Sequence, residues 1–134
     1  MTLVYNLEGV KVGLFCSTPA VAVARHMNST KKTMEMLLTG EPISAQEAHH
    51  YGLVNHVTED ETQLHQVTNE LINKIIRTPG NILALGKQGF YQQITLDTPG
   101  AYKVSEQFMC DNVKLGECKE GIEAFVQKRD PKWK

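Results

Sequence analysis

The stretch from Glu61 to Arg77 most constrains what this chain can become. Leu64, Val67, Leu71, Ile72, Ile75 and Ile76 recur there at helical spacing and line one face of an amphipathic helix. Two start signals follow. Thr78-Pro79 and Thr98-Pro99 each place a capping hydroxyl before a proline, whose missing N–H costs nothing in a first helical turn. The first predicts a helix to about Ile94, and the second a helix carrying Tyr102, Phe108, Met109 and Val113. A last helix after Gly116 takes in Ile122, Phe125 and Val126 before the basic end KRDPKWK.

Strand signals are sparse. Val10 to Phe15 is a β-prone run bounded by glycines and predicts a strand or extended entry segment. Leu53-Val54-Asn55-His56-Val57 alternates as a half-buried strand does. Between these lie more helix signals. Ser17-Thr18-Pro19 predicts a helix to about Met27. Asn28-Ser29-Thr30 opens another, with Met34, Leu37 and Leu38 on one face and Gly40 as its stop. Ser44-Ala45-Gln46-Glu47 fits the capping box, and the short helix that it opens ends at Gly52. The fold class is therefore mainly α with one or two short β segments. So little strand cannot stand as a sheet, and the pattern reads as the helical part of a larger α/β fold.

Composition narrows the function. With 134 residues, 41% of them hydrophobic and 22% charged, the chain is one ordinary globular domain's worth. A net charge of -1 with scattered basic residues argues against nucleic acid as a partner, since phosphate binding needs a concentrated positive face. No apolar stretch reaches the length of a membrane span. Cys16, Cys110 and Cys118 are odd in number and lack C-x-x-C spacing, so they read as reduced thiols. The N-terminus shows neither a signal-peptide pattern nor an Arg-rich presequence.

Candidate chemistry is thin on residue types alone. His49 and His50 are helix neighbours that diverge by about 100° and do not share one ion easily, while His56 and His65 lack a carboxylate or cysteine at ligand spacing. No metal site is expected. Cys16 before Ser17-Thr18 sits at a helix start, where a thiolate is favoured, but no base accompanies it. Glu35, Glu41 and Glu47 read as surface and capping carboxylates, and Lys128, Arg129, Lys132 and Lys134 as cations decorating a helix C-terminus.

Two blocks carry a resemblance. "MEMLLTGEPISAQEAHHYGLVNHV" and the ending "EGIEAFVQKRDPKW" are similar to signatures of the enoyl-CoA hydratase/isomerase (crotonase) superfamily, and the likeness runs from about Gly9 to the end. "VGLFCSTPAVAVAR" and the final P-x-W most resemble a mitochondrial branch implicated in fatty acid metabolism. The resemblance implies the C-terminal helical half of a β/α spiral fold. Residues 1–8 are then a non-family segment, 9–58 the end of the spiral core and 59–134 a helical trimerisation region. It also implies a mitochondrial setting, or a cytoplasmic one for a short isoform without presequence.

Hydratases of this superfamily use two glutamates as base and acid and two backbone N–H groups as an oxyanion hole. Laid over "GVKVGLFCSTPAVA", the second glutamate falls on Gly9, and Glu8 is one residue off. The other glutamate and both donors are expected upstream of Met1. The chain is thus expected to be a truncated crotonase-like protein with no catalytic residue and no hydratase activity. The resemblance brings no cofactor, but it makes a CoA thioester a weak ligand, touched by Lys128, Phe125, Phe108 and Met109. Two alternatives stand beside this reading: a module that self-associates or joins full-length crotonase-fold subunits, and residual hydratase/isomerase chemistry.

Overall fold

A computed structural model describes residues 4–133 and divides the chain into two compact units, Met1–Val67 and Thr68–Lys134. The first holds strand β1 (Val4–Tyr5), a 3-10 helix (Glu8–Val12), α1 (Ser17–His26), α2 (Thr30–Thr39), β2 (Ile43–Ser44) and α3 (Ala45–His50). Helix α4 (Glu61–Ile75) crosses the boundary. The second unit continues with α5 (Gly80–Gln93), α6 (Thr98–Asn112) and α7 (Gly116–Gln127). Among the described residues the chain is mainly helical, with one two-stranded antiparallel ribbon pairing Val4 with Ser44 and Tyr5 with Ile43.

Neither predicted strand forms. Val10–Phe15 is not extended: the 3-10 helix runs through Val12, and Gly13 leaves it at φ 81°, the left-handed region that glycine enters without strain. Leu53–Val57 carries the alternating pattern but pairs with nothing among the described residues. Leu53 and Val54 instead pack as single side chains on the core. Alternation specifies which side chains point inward, and a ladder also needs a partner edge.

That core centres on Met27, Met36, Ile43 and Ala48, with Tyr5, Val23 and Tyr51 packed around it. Helix α2 buries Thr33, Met36 and Leu37, whereas Met34 and Leu38 are 50% and 60% exposed. Both triplets have the i, i+3, i+4 spacing of one helix face, so the periodicity alone left the inward face open. The buried Thr33 hydroxyl is satisfied by the Ser29 carbonyl at 3.1 Å.

Helix ends follow the sequence closely. Ser29 caps α2 by accepting from the Lys32 N–H, and Gly40 closes it at φ 64°. Ser44 and Glu47 form the expected capping box: Ser44 Oγ accepts from the Glu47 N–H at 3.2 Å, and Glu47 Oε2 accepts from the Ser44 N–H at 2.9 Å. The same serine and Lys32 hold the Glu47 carboxyl below its ordinary pKa. Three caps shift by a residue or two. Cys16 rather than Ser17 precedes α1, Pro79 itself precedes α5 with no side-chain bond, and Asp97 rather than Thr98 caps α6 by accepting from the Gly100 N–H. In the second unit α5 and α6 pack through Gly89, where an added Cβ would come within 2.9 Å of the Phe108 ring.

Candidate functional site

The ending EGIEAFVQKRDPKW becomes a closed tail in the structure. Helix α7 stops in a double-bonded turn: the Arg129 N–H donates to the Ala124 carbonyl at 3.0 Å and the Lys128 N–H to the Phe125 carbonyl at 3.2 Å. Lys128 therefore takes φ 53°, the only non-glycine at positive φ among the described residues. Nine residues back, Glu120 receives the Arg129 guanidinium in a fork, with Nη1 at 2.6 Å and Nη2 at 3.0 Å, and the Lys132 N–H at 2.7 Å. These donors favour the ionised form and push the Glu120 pKa down to about 2 from 4.5. The fork folds the tail back so that Trp133 lies on Gly121, where a Cβ would sit 3.3 Å from the indole.

Beside this tail, Pro79, Ile82, Asn112, Cys118, Phe125 and Trp133 help to line an open apolar cleft of about 360 Å³. Phe125 stands at its rim, 85% exposed. Phe108 lies elsewhere: its ring packs on Gly89 and borders a separate hollow with Gln92, Lys103 and Val104. Met109 is 62% exposed, and the Lys128 side chain is exposed. Of the four candidate CoA contacts, Phe125 and Lys128 thus share one turn of chain and Phe108 belongs to another surface. Sequence reasoning took Arg129 as one of the cations decorating the helix C-terminus and gave Glu120 no role, so the pair itself was missed. Their acid–base spacing across a helix C-terminus was the available signal.

At the other candidate position, Glu8 opens the 3-10 helix and is exposed. Residues 8 and 9 are therefore about 120° apart instead of on opposite faces of an extended segment. Gly9 is enclosed. A Cβ there would meet both Cys16 Sγ and the Leu14 carbonyl oxygen at 2.6 Å, and the Gly9 carbonyl accepts from the Leu14 N–H at 2.8 Å. No cluster of three or more metal-ligating side chains occurs among the described residues. No helix among them is long and apolar enough to cross a membrane.

The capped LTG-to-ISAQEA block, the EG…KR ending and this helical arrangement agree with one known family. A model of enoyl-CoA hydratase/isomerase matches residues 2–134. This chain belongs to the enoyl-CoA hydratase/isomerase (crotonase) family. It is 50% identical over 129 residues to the rat protein named enoyl-CoA hydratase domain-containing protein 3, mitochondrial, a match covering 96% of this chain and 42% of that protein. The solved structure of the human protein of that name superposes with a TM-score of 0.90 at 46% identity, over 97% of this chain and 51% of the other. An enoyl-CoA hydratase of Mycobacterium smegmatis gives a TM-score of 0.92 at 39% identity, covering 97% and 50%. The chain spans about half of those solved chains and less than half of the rat relative, and its fold is the helical, C-terminal half of the crotonase fold.

Proposed function

We propose that this chain supplies the helical half of a crotonase-fold protein that handles acyl-CoA in fatty acid metabolism, and that by itself it hydrates no enoyl-CoA. The observation that carries the second clause is the enclosure of Gly9. The position on which the family resemblance lays a hydratase glutamate holds a glycine, and a Cβ there would meet Cys16 Sγ and the Leu14 carbonyl oxygen at 2.6 Å, so a side chain enters only if its surroundings shift. Exposed on its 3-10 helix, Glu8 is offset from that place. In this reading residues 9–58 end the spiral core and 59–134 form the subunit-contact helices. A mitochondrial setting follows the names of the relatives.

What remains of a CoA site is Lys128 with Phe125 beside it, and more distantly Phe108 and Met109. A left-handed lysine where glycine is the easy choice is the kind of strain that accompanies function. One charge-assisted contact is worth about 1–3 kcal/mol, so CoA binding to this chain is millimolar at best. The test is hydration of crotonyl-CoA together with a CoA titration. No rate above background is expected, and CoA binding should weaken with salt and with Lys128→Ala. Saturable turnover abolished by Glu8→Gln would overturn the catalytic reading, and micromolar binding indifferent to Lys128→Ala would remove that lysine from the site.

A second reading, a module that joins copies of itself or full-length crotonase-fold subunits, is favoured by exposed apolar surface. Leu71, Ile72, Ile75 and Ile76 on and after α4 are 43–68% exposed. Size-exclusion chromatography with and without a full-length subunit separates this reading from the first.

A further inference from the structure

Helix α4 is almost bare. Val67 is half-buried, and every other residue from Glu61 to Ile75 is exposed. A helix of 15 residues is marginal in water on its own, and Thr62, His65, Thr68, Asn69 and Asn73 are weak helix formers. Its apolar stripe, with Leu64, Leu71, Ile72 and Ile75 at 43–50% exposure, therefore needs a cover. The charges around the stripe say what fits it. Glu59, Asp60 and Glu61 gather at the start of α4, and Lys74 and Arg77 at its end. Neither of these two cations has an ion-pair partner among the described residues. Each group of charges suits the dipole of its own helix end. A second copy laid antiparallel also brings the acidic start of one helix to the basic end of the other, whereas a parallel copy sets like against like.

We propose that the α4 stripe is covered by the α4 stripe of a second copy of this chain, the two helices running antiparallel about a twofold axis near residue 69. This pairing rests on the association reading above and gives it one partner and one orientation. In that register Leu64 meets Ile75 of the second copy, Val67 meets Leu71, and Arg77 comes opposite Glu59 and Asp60. The apolar residues and the charges thus select the same alignment, and the two helix dipoles oppose each other. Four apolar side chains from each copy are far fewer than the roughly 20–30 residues a side of a standard stable interface. The pair is accordingly weak, with a Kd on the order of 100 μM.

Sedimentation equilibrium of the full chain reads the strength of the pair, and disulfide trapping reads its orientation. The parent chain should fit a monomer–dimer equilibrium. Lys74→Glu together with Arg77→Glu leaves the apolar stripe intact and should weaken the dimer about tenfold, since acidic groups then meet at both ends. For orientation, one chain carries Leu64→Cys and another Ile75→Cys. After mild oxidation of the mixture, mass spectrometry identifies which cysteines are joined. The mixed 64–75 bridge should dominate, because an antiparallel pair separates the two copies of residue 64 by about 16 Å along the axis, beyond disulfide reach. Dominant 64–64 and 75–75 bridges would overturn the proposal in favour of a parallel pair. A dimer indifferent both to Leu71→Lys and to the charge reversal would also overturn it, while the association reading stood on another face. A monomer at every concentration would overturn both. The trapping result reads out even if the charge-reversed chain does not fold.

Discussion

Glu120 shows how one carboxylate can tie down the end of a chain. Its folded pKa of about 2 lies below the ordinary 4.5, so between these values the unfolded chain binds more protons than the folded one. The stabilisation from the fork is complete above about pH 4.5 and is lost as pH falls through 2. Urea midpoints at pH 6 and pH 3 should therefore differ less in Glu120→Gln than in the parent chain, with Glu47 and Asp111, also held low, supplying what slope remains. An unchanged pH slope in the variant would mean that the fork does not form in solution. Gly9 gives a second expectation at this scale. Gly9→Ala forces a methyl against Cys16 Sγ and a backbone carbonyl, a crowding typically costing about 1–3 kcal/mol. Adding Cys16→Ala should recover only part of that loss, because the Leu14 carbonyl remains. Full recovery by chemical denaturation would show that the thiol alone closes the position.

Among the elements, α7 trades helix-end comfort for a lysine. A left-handed C-terminal turn prefers glycine, and an L-residue there is strained by about 1–2 kcal/mol. Lys128→Gly should thus raise stability by about 0.5–1 kcal/mol once glycine's extra unfolded-state freedom is counted. The same change should weaken CoA binding. A loss of stability instead would mean that the lysine stem holds the turn. The caps tell how far local sequence reaches. Ser44 with Glu47, Ser29 and Gly40 were readable because each acts within four residues along the chain. Asp97 displaced Thr98 as the cap of α6, since adjacent oxygens compete for the same N–H groups and backbone geometry selects one. For Val10–Phe15 the β-branched content misled, because Gly13 and the close packing at Gly9 favour a tight turn over an extended path.

Taken whole, the molecule covers little of its apolar surface. Six hydrophobic residues are buried among those described, whereas Leu64, Leu71, Ile75, Ile76, Ile122 and Val126 are all at least 43% exposed. Bare apolar surface of several hundred Å² marks association surfaces, and at about 25 cal/mol per Å² its burial is worth several kcal/mol before association costs. The chain should therefore self-associate at micromolar to millimolar concentration or join other crotonase-fold subunits. Leu71→Lys, on the α4 stripe, should shift sedimentation toward monomer. A sharp monomer at every concentration, unfolding cooperatively, would count against the association reading.

Sequence alone determined the helices, most of their ends and the family, because periodicity, capping and turn residues are local and the two signature blocks are contiguous. It did not determine which face of α2 turns inward, that Leu53–Val57 finds no partner, that Val4–Tyr5 pairs with Ile43–Ser44, or that Trp133 returns to Gly121. Each of these joins residues far apart in the chain. Contacts of that kind are chosen by shape and by which surfaces remain to be covered, and no local pattern encodes that choice. The candidate site follows the same division. Lys128 and Phe125 were named from a contiguous motif, while the Glu120 fork and the enclosed Gly9 exist only once the chain has folded.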